Sequence, residues 1–158
     1  MLIREAGILF HGIPIIFTSY HRASKDNLNL VCSSGLMSGL LSFAECLMEP
    51  VEYFESDKFS VVFKKGMITD LFRMEQEIVA FMVLDKDPRL DKYLKKTIQP
   101  LLSKLLKKFV SEFNGCNLTK VGQFGAFEAT INKIFGTGTK TLEEKVISLL
   151  VNSAEVEI

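Results

Sequence analysis

The sequence has little of what catalysis, secretion or membrane insertion requires. Its three cysteines, Cys32, Cys46 and Cys116, are an odd number without a Cys-x-x-Cys pair. That argues against a disulfide framework and suits free thiols in a reducing compartment, so a cytoplasmic location is expected. Charge of one sign is also missing. Nineteen basic residues meet nineteen acidic ones, which leaves no global field to draw the chain onto nucleic acid or an anionic membrane. The apolar runs near the N-terminus are interrupted by Arg4, Glu5 and His11, too soon for a signal peptide or a span. No later stretch reaches span length, so a soluble chain without a transmembrane anchor is expected. His11 and His21 have no second ligand at metal spacing, and no nucleophile has a partner base. No catalytic residue, metal or cofactor is therefore assigned, and the chain is not expected to be an enzyme.

What is present is enough apolar material for one domain: 47% of 158 residues. The segment from Asp26 to Met48 is the most unusual. Projected as a helix, Leu30, Leu36, Met37, Leu40, Leu41, Phe43, Leu47 and Met48 gather on one broad arc, suited to packing on a sheet. The opposite arc carries Ser34, Gly35, Ser38, Gly39, Ser42, Glu45 and Cys46, where an exposed helix would ordinarily carry long charged side chains. Each interior glycine costs roughly 1 kcal/mol against alanine. Close approach of another backbone would compensate, either a second protein or the helix's own sheet.

Around this helix the pattern is mixed. Residues 3 to 10 and 13 to 20 are β-branched-rich runs separated by His11 and Gly12, a hairpin of two buried strands. Asp26 suits the helix cap and Pro50 its end. Residues 51 to 56 and 59 to 65 predict a second strand pair, and Ile78 to Leu84 another strand. Residues 66 to 77 are ambiguous: Leu71, Phe72 and Met74 could extend a strand or form a helical turn over the core. Asp87 and Pro88 predict the start of a long helix, with apolar spacing from Leu90 to Phe113, a kink at Pro100 and a stop at Asn114-Gly115. A further helix is expected over Phe124 to Phe135. Gly136 to Thr139 breaks it, and Thr141 with Glu144 caps a short last helix, about Leu142 to Val151. The domain is placed at 1–136, with 137–158 a linker turn and final helix.

Several look-alikes have simpler readings. Gly136-Thr137-Gly138-Thr139-Lys140-Thr141 has a residue too many between glycine and lysine for a Walker loop and follows a helix, so it reads as a turn. Glu75, Glu77, Asp85 and Asp87 read as solvated strand ends and a cap rather than acid and base pairs. Lys92, Lys96 and Lys107 fall on one side of the long helix. That stripe could touch an acidic partner or phospholipid headgroups, as a peripheral membrane contact, or simply be its solvated face.

The order strand, strand, helix, three strands, helices, the Gly12-Ile13-Pro14 turn, and the run Asp26-Asn27-Leu28 through Gly35-Leu36-Met37-Ser38-Gly39-Leu40-Leu41-Ser42-Phe43 resemble the longin domains of membrane-trafficking and GTPase-regulating proteins. More distantly they resemble roadblock domains. The resemblance implies an α+β fold: a five-stranded antiparallel sheet with the first helix on one face and the C-terminal helices on the other. It also implies a homodimer, or a heterodimer with a similar protein, built from the first helix and an edge strand as a platform for a small GTPase. A SNARE segment does not follow the domain, so a stand-alone adaptor or half of a GTPase regulator is the expectation.

The function expected is thus a non-enzymatic interaction module that dimerises and serves a small Ras-like GTPase in trafficking. Ser34, Gly35, Ser38, Gly39 and Ser42 of the helix, with Ile15 and Phe17 of the second strand, are the candidate interface. The alternative is a small-molecule-sensing domain with a pocket between sheet and helices.

Overall fold

The structure is a computed structural model, which describes residues 3–20, 39, 41, 42 and 51–136. Two β-rich halves flank the segment 21–50. In the first, β1 (Ile3–Phe10) and β2 (Ile13–Ser19) form the expected hairpin, but only β1 is a well-buried strand: β2 lies at the sheet edge and buries Ile15 and Thr18 alone. His11 and Gly12 take φ of 48° and 75° at its turn, the left-handed pair that matches the twist of a two-residue hairpin. In the second, β3 (Tyr53–Glu55), β4 (Phe59–Thr69) and β5 (Glu75–Asp85) run as a meander. The five make one antiparallel sheet in the order β2-β1-β5-β4-β3, which leaves β2 and β3 at the edges.

Both faces of the sheet are apolar, which is why β5 reads as one continuous hydrophobic run instead of an alternation. Its Ile78, Ala80, Met82 and Leu84 point to the front with Ile3, Ala6, Ile8 and Val62; Phe81 points to the back with Leu9 and Phe63. The front is covered by α1 (Leu90–Tyr93), a π-helical turn (Leu94–Ile98), α2 (Gln99–Phe113), a 3-10 turn (Val121–Phe127) and α3 (Glu128–Phe135). The stretch expected as a helix over Phe124 to Phe135 is thus part 3-10 turn and part α3, and its Phe124, Phe127, Ile131, Ile134 and Phe135 are all buried. On the back, Leu41 packs with Leu9, Phe63 and Phe81. Of the helix expected over 26–48, Gly39, Leu41 and Ser42 are described, and all three are helical.

Three local departures from expectation have physical causes. The long helix begins at Leu90 because the Asp87 carboxylate accepts the Arg89 N–H at 2.8 Å and binds the Arg89 guanidinium, holding two residues outside the helix. The kink expected at Pro100 is instead taken up one turn earlier: the Gln99 N–H bonds the Leu94 carbonyl, a wide π turn, and Pro100 then enters α2 in its first turn, where the missing N–H is harmless. Leu90, Leu94 and Ile98 stay buried through this turn, at the four-residue spacing that one helix face repeats. The ambiguous residues resolve into strand ends around a turn, Asp70 to Met74; Leu71, Phe72 and Met74 are exposed and cover no core. The helix expected at Leu142–Val151 lies outside the described residues.

Candidate interaction surface

The second strand divides its residues sharply. Ile8 pairs with Ile16 and Leu9 with Pro14, so Ile15 is bulged out of register. The bulge turns Ile15 inward, where it is 3% exposed in the front core, while Ile13 and Phe17 stand open at 56% and 41%. Phe17 crosses Gly7 of β1 so closely that a β-carbon on Gly7 would lie 2.7 Å from the Phe17 Cβ and 2.3 Å from the Ile16 carbonyl oxygen. Among the described residues β2 pairs with β1 alone, so its outer edge keeps unpaired backbone groups. Pro14 lacks an N–H and is tolerated on such an edge. Of the two strand residues assigned to an interface, Phe17 is open and Ile15 belongs to the core.

On the back of the sheet, Leu41 is buried while Gly39 and Ser42 are exposed. A β-carbon on Gly39 would meet nothing within 4 Å among the described residues. The sheet therefore gives no reason there for a glycine at this position. Ser34, Gly35 and Ser38, the rest of the small-residue arc, lie outside the described residues. Between this helical turn and the strand ends is a cleft of about 380 Å³, lined by Leu9, His11, Leu41, Ser42, Lys65 and Glu77 among others. The Lys65 Nζ lies 3.8 Å from Glu77 Oε1 across its wall.

Lys92, Lys96 and Lys107 are all exposed on the front helices, and Lys95, Lys104 and Lys108 with them. Asp91 and Glu112 are the acidic residues of the same stretch, and Asp91 accepts the Tyr53 hydroxyl at 3.0 Å. The outer side of these helices is thus more basic than the three-lysine stripe, although the whole chain is neutral.

One feature was not legible as a site. In the β4–β5 turn, Asp70 acts as the internal acceptor: its Oδ1 takes the Phe72 and Met74 N–H groups, both at 2.9 Å, and its Oδ2 takes the Gln76 side-chain amide at 3.0 Å. These bonds, that from Met74 foremost, hold the Asp70 carboxyl below the usual aspartate range. Arg73 is left-handed at φ 60°. The turn is tied to the end of α2, where Leu71 N–H bonds the Cys116 carbonyl and Thr69 N–H bonds the Asn114 side chain, both at 3.0 Å. The sequence signal was the run Asp-Leu-Phe-Arg-Met, apolar but too short and uncapped for a helix. The half-buried Cys116 thiol is raised by burial, the setting of an inert thiol rather than a nucleophile.

Among the described residues no three His, Cys, Asp or Glu side chains gather as a metal site, and no helix is long and apolar enough to cross a membrane. Compared with protein-family models and with curated proteins, the chain matches none.

Proposed function

We propose that this chain is a longin-like, non-catalytic interaction module that dimerises through its β2 edge and the helical turn at Gly39, and in that form serves a small Ras-like GTPase in trafficking. The observation that carries the reading is Gly39: an exposed, helical glycine that its own sheet does not require. A helix keeps such a residue at a cost of about 1 kcal/mol, and close approach of a second backbone offsets it. The open edge of β2, with Phe17 and Ile13 exposed, supplies a second contact of the kind that pairs strands between chains. The five-stranded order with helices after β5 supports the resemblance on which the GTPase role rests.

Gly39→Leu is the chosen probe because a β-carbon at this exposed position meets nothing within 4 Å among the described residues. Light scattering on wild type, Gly39→Leu and Phe17→Glu is expected to give a dimer, a monomer and a monomer; a wild-type monomer sinks the self-dimer. Pull-downs against the host's small GTPases test the second half separately, and uniformly negative results leave a scaffold without that partner.

The cleft at His11, Ser42, Lys65 and Glu77 favours one other reading. Its volume falls within the ~300–1,000 Å³ of ordinary ligand pockets, and it brings a few polar groups together over an apolar floor. A ligand-sensing domain would show reproducible thermal stabilisation by a small-molecule library member, lost in Lys65→Ala.

A further inference from the structure

The β4–β5 hairpin runs on past its pairing with β1, with Ile68 and Ile78 still packed in the front core and an apolar turn at its end. The last β1–β5 pair is Leu9 with Val79, whereas β4 and β5 continue to the pair Thr69 with Glu75. The overhang is four residues of strand, about 13 Å, with the turn Asp70–Met74 at its end. Four of the seven large hydrophobic residues exposed among the described residues stand on it: Met67 at 50%, Leu71 at 56%, Phe72 at 76% and Met74 at 61%. An apolar tip of this kind is normally floppy or hidden. This one is anchored to the end of α2 by the Leu71 and Thr69 N–H groups.

A second, independent observation concerns its backbone. The five N–H groups of the turn all have acceptors within the chain: Asp70 to the Met74 carbonyl, Leu71 to the Cys116 carbonyl, Phe72 and Met74 to the Asp70 carboxylate, Arg73 to the Asp70 carbonyl. Exposed turns usually leave such donors to water. A turn whose donors are met internally can approach an apolar medium without losing hydrogen bonds from them, which is the donor half of the condition that hydrocarbon imposes on backbone entering it. The same bonds leave the tip no N–H with which to pair a partner's strand, so it cannot dock by extending a sheet through its donors. Charge agrees. Exposed Arg73 and Lys120, the latter following the stretch 117–119 that shares a cleft with Leu71 and Phe72, and Lys107 and Lys108 within about two turns of the α2 end to which the tip is tied, stand against the Asp70 carboxylate, Glu75 and Glu112, a small basic excess.

We infer that the β4–β5 turn is a membrane-docking wedge: Leu71, Phe72 and Met74 enter the boundary between headgroups and acyl chains of a phospholipid bilayer, and Arg73, Lys120, Lys107 and Lys108 meet anionic headgroups. This is shallow insertion by a turn, and it is independent of the dimer proposed above, which uses β2 and Gly39.

The chain has no tryptophan, so Phe72→Trp places a single indole at the tip, where replacement disturbs no core packing. With phosphatidylcholine–phosphatidylserine vesicles its emission is expected to shift to the blue and to be quenched by bromine on the acyl chains. Wild type is expected to float with the same vesicles, and Leu71→Asp to lower that partition at least tenfold. Unchanged emission at saturating vesicles, or wild type that stays out of the floated fraction, overturns the inference. So does a blue shift that grows with protein concentration in the absence of lipid, which would assign the tip to a second copy. Phe17→Trp serves as the reference position on β2, and a lipid-dependent shift there without one at residue 72 also overturns it.

Discussion

Gly7 and Gly39 are both small residues beside larger ones, and the space around each separates their roles. At Gly7 an added β-carbon would collide with the backbone of Ile16 and with Phe17. Backbone cannot step aside cheaply, so Gly7→Ala is expected to cost about 1–3 kcal/mol in urea denaturation. At Gly39 the same carbon meets open space among the described residues. Gly39→Ala is expected to leave the fold intact and to stabilise the monomer by roughly 0.5–1 kcal/mol. Asp70 makes a different kind of prediction. Its folded pKa is lowered, chiefly by the Met74 N–H, so its contribution is complete above the ordinary aspartate range and is lost as pH falls through the lowered folded value. Amide exchange at Phe72 and Met74 should stay protected through mildly acidic pH and lose protection below it. In Asp70→Ala both amides should exchange roughly tenfold faster or more at all pH values. Unchanged exchange in that variant would show that the carboxylate does not organise the turn.

Among the elements, what could be read in the sequence was whatever periodicity and caps encode. The β1–β2 hairpin, the runs that became β4 and β5, and the apolar spacing of α2 and α3 follow directly from patterns of two and of three to four. The π turn does not, because Leu90, Leu94 and Ile98 fit an α-helix nearly as well, and the wider turn is settled by tertiary packing with Pro100 close behind. The turn 70–74 was illegible for a related reason: its structure depends on Asp70 bonding forward to residues two and four along and on the end of α2 arriving from 45 residues away. The bulge that buries Ile15 depends likewise on register with β1. Long-range aromatic packing then holds the front helices. Phe109 lies within 5.3 Å, centroid to centroid, of Phe113, Phe124 and Phe127 and is fully buried. Phe109→Ala should cost about 3–5 kcal/mol in a thermal or urea melt and loosen the 3-10 turn from α2. A loss below 1 kcal/mol would mean that this cluster does not hold the helices to the sheet.

On the scale of the whole molecule, the two proposed contacts use different surfaces: the β2 edge with the Gly39 turn, and the apolar β4–β5 turn. A dimer that presents both β4–β5 turns to a bilayer would couple assembly to membrane residence, since two shallow wedges on one particle bind with an effective concentration that one lacks. The dimer is the central claim, and the small-residue arc that suggested it in the sequence is represented in the structure by Gly39 and Ser42, both exposed beside buried Leu41. The most direct test is the solution mass of wild type and Gly39→Leu by light scattering behind size exclusion. Wild type should have twice the chain mass of 17.8 kDa, and Gly39→Leu, equally folded by circular dichroism, should have that mass once. A wild-type mass of 17.8 kDa, or a Gly39→Leu variant that remains a full dimer, would contradict the account.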